Sequence, residues 1–545
     1  MIDGAHLAAR MIAREQVDTV FTLCGGHIMP LYNGLRDENI RVVDMRHEQA
    51  AAHAADAYAR LTRRAGIAIV TAGVGVTDAV TGIANAAQAD SPMLVIGGQA
   101  PSDQFEMGSL QELDSISLVS SITKWARSVA HTRRIPEFLA IAFRHMFAGR
   151  WGPAFLEIPI DVLIGAVDDS ETFFPENYRV IAPPRGDPNA LQRALDLLRA
   201  AERPVVIAGS QIWWSDAADT LARFAERAHI PIYLNAMARG ALAPAHPNHF
   251  ALSRKFALAR ADVIAVIGAP LDFRLGYGQP PTFNADAKII HVDIDARELG
   301  RNRGATVGIV GDVRAVLEEL TDAASSSRAD IWIKELRERE ASEAEKLFVH
   351  ANSDAIPIHP LRMAKEIRAV LDDDTIVIGD GGNIVAQAAK LIAVAKPGHW
   401  LDPGRFGCLG VGIPFAIAAK LVHPKSNVIV INGDGAFGLN GFEMDTAVRF
   451  NLPLVSVIGN DAAWGQIRGP QIQFYGADRA IASALALSRY DKVVDALGGY
   501  GEFVEEPKQL RGALERALAS GKPACVNVRI DADANAAVSA NSMVV

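Results

Sequence analysis

The chain has 545 residues, half of them apolar and 21% charged, with a formal net charge of −9. A chain of this length exceeds what one hydrophobic core holds and predicts about three domains. The negative charge argues against a nucleic-acid partner. No stretch of about 18 residues is free of polar and charged side chains, which argues against a membrane-spanning helix.

The three cysteines, Cys24, Cys408 and Cys525, are few, odd in number and far apart. This usage is typical of a reduced protein without a disulfide framework or a cysteine-held metal. The first residues, 1–6, lack the basic start and apolar segment of a secretory signal. The sequence therefore predicts a cytoplasmic protein.

The first 163 residues alternate apolar strands with helical stretches. Strands are predicted at residues 20–23, 67–70, 93–96 and 155–159. Glycine follows closely after the first three, which is typical of a doubly wound parallel sheet. A linker rich in proline and acidic residues follows at residues 164–188.

The same alternation returns twice more along the chain. The remaining predicted bounds are residues 189–325 for a second α/β unit, 326–355 for a helical linker, 356–530 for a third α/β unit and 531–545 for a tail. The predicted strands of the second unit are residues 205–207, 263–267 and 289–292. The predicted fold class is therefore α/β, with three doubly wound parallel-sheet domains.

The strongest motif lies in the third unit, where a strand at residues 428–431 leads into Gly433, Asp434 and Gly435. Glycines without side chains let a diphosphate approach the backbone near a helix N-terminus. Asp434 would repel a diphosphate unless a divalent cation lies between them, and Mg²⁺ is usually held by one or two carboxylates plus phosphate oxygens. Asp461 follows 27 residues later, at the end of the next strand, where it can reach the same ion.

This unit resembles the thiamine-diphosphate signature, in which Gly-Asp-Gly is followed at this distance by Asn-Asn, replaced here by Asn-Asp. Further runs match the same family in order: residues 46–55 resemble the segment with the activating glutamate, 71–77 the next glycine turn, 380–383 the diphosphate-side turn and 406–410 the loop that bends the cofactor. The resemblance covers nearly the whole chain. It is strongest to acetolactate synthase and its relatives benzaldehyde lyase and 2-hydroxyacyl-CoA lyase.

The resemblance implies roles for the matching residues. Glu48 is implied to activate the cofactor, and His27 and Gln111 to handle substrate oxygens. The implied ligands of Mg²⁺ are Asp434, Asp461 and the Ala463 carbonyl. The residues implied to bind thiamine diphosphate are Gly73, Gly75, Asp380, Gly382, Asn383, Gly407, Leu409, Gly433, Gly435, Ala436 and Trp464.

Chemistry explains these residue types. The aminopyrimidine of the cofactor removes the proton at C2 of its thiazolium ring, and it becomes basic when a carboxyl group hydrogen-bonds its ring nitrogen. Burial would raise the pKa of Glu48 so that it shares a proton at neutral pH. The structural alternative is that Glu48, in the first turn of a helix, complements the helix dipole. Leu409 is implied to bend the cofactor, and the Gly407 carbonyl to accept from its amine. The cofactor supplies the acyl-anion chemistry, and the protein supplies geometry.

In this family, the first domain of one subunit and the third domain of another form one site. The resemblance therefore implies at least a homodimer, and a homotetramer is expected. The expected substrates are small molecules: a 2-ketoacid, an acyloin or an acyl-CoA. No nucleic-acid or membrane partner is expected.

Some positions favour acetolactate synthase ancestry, and others argue against that enzyme's activity. Gln111, residues 268–269 and residues 291–295 match that enzyme. Its Met-Val-x-Gln-Trp run, whose tryptophan selects the second ketoacid, reads Gln-Ile-Arg-Gly-Pro at residues 466–470. Its flavin-side loop is replaced by residues 252–256. These departures argue against FAD, which stays open as a further cofactor.

Other features favour a lyase. Residues 25–28, Gly-Gly-His-Ile, resemble a histidine segment of benzaldehyde lyase, and Trp464 matches its Trp-Gly pair. His27 could move a proton to or from a substrate hydroxyl, since its unperturbed pKa lies near neutrality; the alternative is a structural histidine at a strand end. Arg254 and Lys255 either contact a CoA or nucleotide phosphate or form a solvated face.

The sequence thus favours a thiamine-diphosphate- and Mg²⁺-dependent carbon–carbon lyase or carboligase that acts on an acyloin or a 2-hydroxyacyl-CoA. The second interpretation is an acetolactate-synthase-like transferase that decarboxylates pyruvate and condenses it with a second 2-ketoacid. The third is a non-catalytic cofactor-binding partner subunit, against which the intact Glu48, Leu409 and Asp434 argue.

Overall fold

The computed structural model describes residues 1–180, 182–324 and 326–534. Within them, three six-stranded parallel sheets with flanking helices form three α/β units, which confirms the predicted fold class. Residues 535–545 of the predicted tail, Ile181 in the first predicted linker and Ser325 at the end of the second predicted unit lie outside the described residues.

The first domain carries the N-terminal sheet. Its strands are β1 (Ile2–Asp3), β2 (Thr19–Thr22), β3 (Arg41–Asp44), β4 (Gly66–Val70), β5 (Met93–Gln99), β6 (Trp125–Ser128), β7 (Ala154–Pro159) and β8 (Ala166–Val167). Its helices are α1 (Gly4–Arg14), α2 (Met29–Asp37), α3 (Glu48–Thr62), α4 (Val74–Gln88), α5 (Ser115–Val119), α6 (Ile135–Phe147) and α7 (Ile160–Ile164). The parallel sheet has the order β3-β2-β4-β5-β7-β6. Every residue of β4 and β5 is buried, as expected of strands covered on both faces.

One small sheet is not foreseen by the sequence pattern. β1 pairs antiparallel with β8, with Ile2 opposite Val167. β8 lies within the residues predicted as a linker. The pairing therefore ties the start of the chain to the segment that leaves the first domain.

The middle domain carries a second parallel sheet. Its strands are β9 (Pro204–Ala208), β10 (Ile232–Leu234), β11 (His249–Phe250), β12 (Val263–Ile267), β13 (Lys288–Asp293) and β14 (Val307–Val310). The helices are α8 (Pro188–Ala200), α9 (Gln211–Trp214), α10 (Ala218–Ala228), α11 (Arg254–Arg260), α12 (Val313–Ala323) and the long α13 (Asp330–Ala351), which lies within the predicted helical linker. The sheet order is β11-β10-β9-β12-β13-β14.

The third domain carries the C-terminal sheet. Its strands are β15 (Ile376–Asp380), β16 (Trp400–Leu401), β17 (Val428–Gly433), β18 (Val455–Asn460), β19 (Tyr500–Val504) and β20 (Ala524–Arg529). Its helices are α14 (Pro360–Arg368), α15 (Asn383–Leu391), α16 (Gly412–Val422), α17 (Asp434–Asn440), α18 (Glu443–Arg449), α19 (Gly465–Tyr475), α20 (Tyr490–Ala496) and α21 (Pro507–Ala519). The order β16-β15-β17-β18-β20-β19 makes β15, β17 and β18 neighbours. The turns that follow these three parallel strands therefore meet at one edge of the sheet.

The first and third domains of one chain pack through α3 and α16 and share one hydrophobic core. The buried side chain of Arg60 on α3 pairs with Asp56 at 2.7 Å and donates to the Asp402 carbonyl at 2.7 Å. The guanidinium is thus paired and hydrogen-bonded, which is the condition for burying a charge.

The middle domain joins this pair through two tryptophans on α9. Trp213 donates its indole N–H to the Arg60 carbonyl at 2.6 Å. The Trp214 ring packs against Trp151 of the first domain, with ring centroids 5.4 Å apart. Among the described residues, no helix combines the length and apolar character needed to cross a membrane.

Candidate active site

A cavity of about 190 Å³ opens in the third domain, at the edge where β15, β17 and β18 end. Eleven residues with predicted cofactor or metal roles line it: Gly382, Asn383, Gly407, Leu409, Gly433, Asp434, Gly435, Ala436, Asp461, Ala463 and Trp464. The structure thus brings these residues together from four separate segments. Gly381, Gly465, Gln466 and Ile467 also line the cavity and have no predicted cofactor or metal role.

Two glycines of the cavity are required by close packing. The ring of Trp464 lies against Gly435, where an added Cβ would be 2.6 Å from Trp464 Cε3. The side chain of Gln466 lies against Gly382, where a Cβ would be 2.6 Å from Gln466 Cδ. Side chains of the α19 segment therefore cover both glycine turns, and a larger residue would have to displace the Trp464 ring at Gly435 or the flexible end of Gln466 at Gly382.

The carboxylate of Asp434 is buried, with 3% of the residue exposed, and Asp461 lies close enough to act on its charge. Burial and the charge of Asp461 raise the pKa of Asp434 to about 7, although backbone N–H groups of Gly435 and Ala463 oppose the shift. Its Oδ1 accepts from the Gly435 N–H at 2.9 Å, whereas its buried Oδ2 has no hydrogen-bond partner among the described residues. The described protein groups thus leave this acceptor oxygen without a donor.

The loop that carries Asp461 is held by backbone pairing to a later segment. Trp464 donates its N–H to the Ser483 carbonyl at 2.9 Å, and Leu485 donates to the Ala462 carbonyl at 2.7 Å. Asn460, the first residue of the Asn-Asp pair that replaces the family's Asn-Asn, is fully buried and donates to the Ser488 carbonyl at 3.1 Å. This pairing fixes the position of the carboxylate-bearing loop.

Asp380 has a different place from the other predicted cofactor residues of the third domain, because it does not line the cavity. Its buried carboxylate accepts the N–H groups of Gly410 and Gly412 at 3.0 and 2.8 Å. Burial raises the pKa of Asp380 to about 6, against these two hydrogen bonds. Asp380 thus anchors the loop that carries Gly407 and Leu409.

The predicted N-terminal residues form a second group, in the first domain. Glu48 is the first residue of α3 and is buried, with 5% exposed. Burial raises its pKa, with a further contribution from Asp78, which is the direction predicted for this acid. Gly75 lies beside it, since a Cβ there would be 3.4 Å from Glu48 Oε1. His47 accepts the Gln49 N–H at 3.1 Å and so caps the helix.

His27 and Gln111 meet through Thr71. The Nδ1 of His27 lies 3.4 Å from Thr71 Oγ1, which in turn lies 3.4 Å from Gln111 Oε1. Gly73 has a φ of +56°, and its Cα faces the backbone of Gln111. The sequence pattern assigns no role to Thr71. Its place in the glycine turn after β4 is the sequence feature that could have indicated one.

In the described part of one chain, the two groups do not line the same cavity. None of Glu48, His27, Gln111, Gly73 and Gly75 lines the cavity of the third domain. The described residues of one chain thus form two groups, named the first-domain and third-domain half-sites below: the first has a buried acid, and the second has glycine turns and two carboxylates.

Comparison with known proteins shows which family the chain belongs to. Three family models match the chain in succession: thiamine pyrophosphate enzyme, N-terminal TPP binding domain, at residues 2–118; the central domain at residues 191–320; and the C-terminal TPP binding domain at residues 380–528. The chain belongs to the thiamine pyrophosphate enzyme family. The family resemblance predicted from the sequence is thereby confirmed.

Individual relatives of this thiamine pyrophosphate enzyme carry two kinds of name. A probable acetolactate synthase of Mycobacterium bovis is 40% identical over 529 residues, which cover 97% of this chain and 96% of that protein. The 2-hydroxyacyl-CoA lyase 2 of Homo sapiens is 35% identical over 574 residues, covering 97% and 90%. The protein of the same name in Caenorhabditis elegans is 34% identical over 577 residues, covering 97% and 89%.

These findings establish the general activity. The protein is a thiamine-diphosphate-dependent enzyme of the carbon–carbon lyase and carboligase type. The interpretation as a non-catalytic partner subunit is therefore not supported.

Proposed function

We propose that this enzyme cleaves or forms the carbon–carbon bond of a 2-hydroxy carbonyl compound, either an acyloin or a 2-hydroxyacyl-CoA. The observation that carries this choice is the His27–Thr71–Gln111 contact beside the first-domain half-site. A histidine at hydrogen-bond distance from a hydroxyl can take a proton from a substrate hydroxyl or return it. The relatives named 2-hydroxyacyl-CoA lyase 2 support the same reaction class.

The third-domain cavity fits a diphosphate held through Mg²⁺. Two carboxylates, one with a buried oxygen that lacks a partner, repel each other unless a cation lies between them. Asp434, Asp461 and the Ala463 carbonyl would hold the ion, and the turns at Gly433 and Gly382 would admit the phosphates. The described residues contain no group of three or more His, Cys, Asp or Glu side chains that could hold a metal. The remaining ligands would therefore be carbonyl, phosphate and water oxygens.

Glu48 would hydrogen-bond the pyrimidine ring, because burial raises the pKa of its carboxyl and so favours the protonated form that can donate to a ring nitrogen. Bound thiamine diphosphate supplies the electron sink that stabilises the carbanion of the cleaved bond. Leu409, anchored through the Asp380 loop, would support the bent form of the cofactor. Thr71 and Gln111 orient His27 and the substrate oxygens.

A homodimer would complete the site. The residues of each half-site stay apart within one chain, and both domains expose large apolar side chains near them. The exposed side chains are Phe105, Met107 and Leu110 in the first domain and Phe406, Leu439 and Phe442 in the third. Pairing of two chains would bury such surfaces and bring Glu48 of one chain to Asp434 of the other; a homotetramer of two such dimers is the expected assembly.

A CoA substrate gains support from arginines of the middle domain. Arg254 and Arg239 are half-buried, and burial lowers the pKa of both guanidinium groups. Neither forms an ion pair with a described carboxylate. The charge of Arg274 repels Arg254. Arg239 is attracted by Asp402 and repelled by Arg254. Anionic groups of a CoA would offset this charge. Lys255 is exposed and adds a second cation to the same helix start.

FAD stays a separate question. The flavin-side loop of acetolactate synthases is replaced here, and we propose that the enzyme works without a flavin. We also propose a cytoplasmic location, in keeping with three cysteines that are free in the described chain. Protein purified without added flavin should lack flavin absorbance in visible light.

The second candidate is the acetolactate-synthase-like transfer, favoured by the 40% identical relative. One turnover panel separates the two. Purified protein with thiamine diphosphate and Mg²⁺ receives pyruvate, benzoin and a 2-hydroxyacyl-CoA side by side, and products are identified by mass. Aldehyde from benzoin or the acyl-CoA, with pyruvate inert, supports the proposal. Acetolactate and CO₂ from pyruvate would establish the second candidate instead.

A further inference from the structure

A buried acid of the third domain reaches the segment that carries Glu48. Glu443 is the first residue of α18, nine residues after Asp434, and is 1% exposed. Its Oε1 accepts the backbone N–H of Arg46 from the first domain at 2.9 Å, and its Oε2 accepts the Thr446 hydroxyl at 2.6 Å. Arg46 stands two residues before Glu48.

The other end of α18 contacts the same segment. Arg449 donates to the Asp44 carbonyl at 2.7 Å and lies 3.4 Å from the Asp44 carboxylate. Asp44 Oδ1 in turn accepts the Cys24 N–H at 3.3 Å, at the start of the turn that leads to His27. Arg449 and Asp44 are partly exposed, so solvent weakens their pairing. The bond of Glu443, whose carboxylate is buried, is therefore the stronger of the two contacts.

The buried position of the Glu443 carboxyl is poorly explained by packing in the apolar core alone. Burial raises the pKa of Glu443 to about 7, although Thr446, the Arg46 N–H and the charges of Arg449 and Arg46 all oppose the shift. Burying an acid costs stability, and an apolar side chain would avoid that cost. Both carboxylate oxygens are used, one of them by a backbone group of another domain.

We propose that Glu443 is a positioning residue for Glu48. It holds the Arg46 backbone and so fixes the start of α3 and, with it, the position of Glu48. The inference rests on the proposed role of Glu48. It assigns to α18 a task beyond packing, because this helix of the third domain sets the geometry of the first-domain half-site in the same chain.

The test compares three variants of the full-length protein. Glu443→Ala removes the acceptor, whereas Glu443→Gln keeps an oxygen for the Arg46 N–H. Glu366→Ala is the control, since it also removes a buried carboxylate. Glu366 pairs with Arg362 and Arg511, which lie outside the cofactor motifs. Hydrogen exchange of residues 44–50 is measured without cofactor, and kcat and KM are measured with thiamine diphosphate and Mg²⁺.

We expect Glu443→Ala to lower kcat by about 10–100-fold, the scale that a small misplacement of a catalytic group produces, with KM nearly unchanged. Amide exchange of the Arg46 segment should become faster in this variant only. Glu443→Gln should restore both properties, and Glu366→Ala should alter neither despite lower stability.

The proposal is overturned if exchange at residues 44–50 and kcat are the same in Glu443→Ala and Glu366→Ala. If Glu443→Ala does not fold, Glu443→Asp, which withdraws the carboxylate by one carbon, replaces it, and wild-type exchange and kcat in that variant overturn the proposal. An inactive wild-type protein would refute the proposed function. Hydrogen exchange at residues 44–50 that is unchanged in Glu443→Ala, measured without cofactor, would refute only the positioning role of Glu443.

Discussion

The indole ring of Trp464 lies against the backbone of Gly435, so closely that a Cβ on Gly435 would be 2.6 Å from Trp464 Cε3. The two residues come from different turns of the third-domain sheet edge. Their contact shapes the wall of the cavity that we assign to the diphosphate and its metal.

Gly435→Ala should displace the Trp464 ring and weaken binding of thiamine diphosphate with Mg²⁺ by about tenfold or more, since overpacking typically costs 1–3 kcal/mol. Gly438→Ala is the matched control on the same helix, because nothing lies within 4 Å of its added Cβ. That variant should bind normally and be as stable or slightly more stable. Calorimetric titration measures the cofactor affinity of both variants. Equal affinities in the two variants would show that the Trp464 contact does not shape the site.

Glu443 should make stability depend on pH in a defined direction. Its folded-state pKa of about 7 lies above that of a carboxyl in the unfolded chain. The folded state therefore holds the proton more tightly, and the stability tied to it is complete below about pH 4 and is lost as pH rises through 7. Relative to Glu443→Gln, the wild type should thus lose stability between about pH 4 and 7. Denaturant unfolding of both proteins across this range measures the difference, and a constant difference would contradict the assignment.

His27→Ala should slow carbon–carbon bond cleavage by about 10²–10⁴-fold, the range for loss of a general acid or base, and leave cofactor affinity within a small factor of the wild type. Thr71→Val, which removes only the hydroxyl between His27 and Gln111, should show a smaller loss of the same kind. Steady-state kinetics with an acyloin and a 2-hydroxyacyl-CoA provide the rates. Wild-type rates in His27→Ala would make this histidine structural.

Two inactive variants should restore each other if the site forms between chains. Glu48→Gln damages the first-domain half-site, and Asp434→Asn damages the third-domain half-site. After mixing and reassembly, some dimers pair two undamaged halves, and activity should reappear. Each variant alone, reassembled in the same way, is the control. No recovery in a mixture shown by mass spectrometry to contain mixed dimers would contradict a shared site.

The sequence predicts the third-domain half-site best, because its residues lie in short motifs at the ends of neighbouring parallel strands. Gly433, Asp434 and Asp461 needed only local pattern and the geometry of a parallel sheet edge. Contacts between distant segments could not be foreseen in this way. The position of Thr71 between His27 and Gln111 depends on how separate segments of the first domain pack. The bond from Arg46 to Glu443 depends on how the first and third domains pack. No local pattern reports such packing.

Asp380 shows the same limit within a correctly recognised motif. Its position in the sequence indicated a cofactor residue, whereas its carboxylate holds the backbone of Gly410 and Gly412. The pairing of β1 with β8 was hidden for a related reason, since two-residue strands carry too little pattern to distinguish them from a linker.

The most direct test measures aldehyde release from an acyloin and from a 2-hydroxyacyl-CoA by the wild type and by Glu48→Gln, each with and without thiamine diphosphate and Mg²⁺. The account predicts release only by the wild type with both additions present. It also predicts that Glu48→Gln keeps its fold and cofactor affinity but loses at least about 10²-fold in rate, as expected for a lost acid–base group. Full activity of Glu48→Gln, or release without the cofactor, would contradict the central claim.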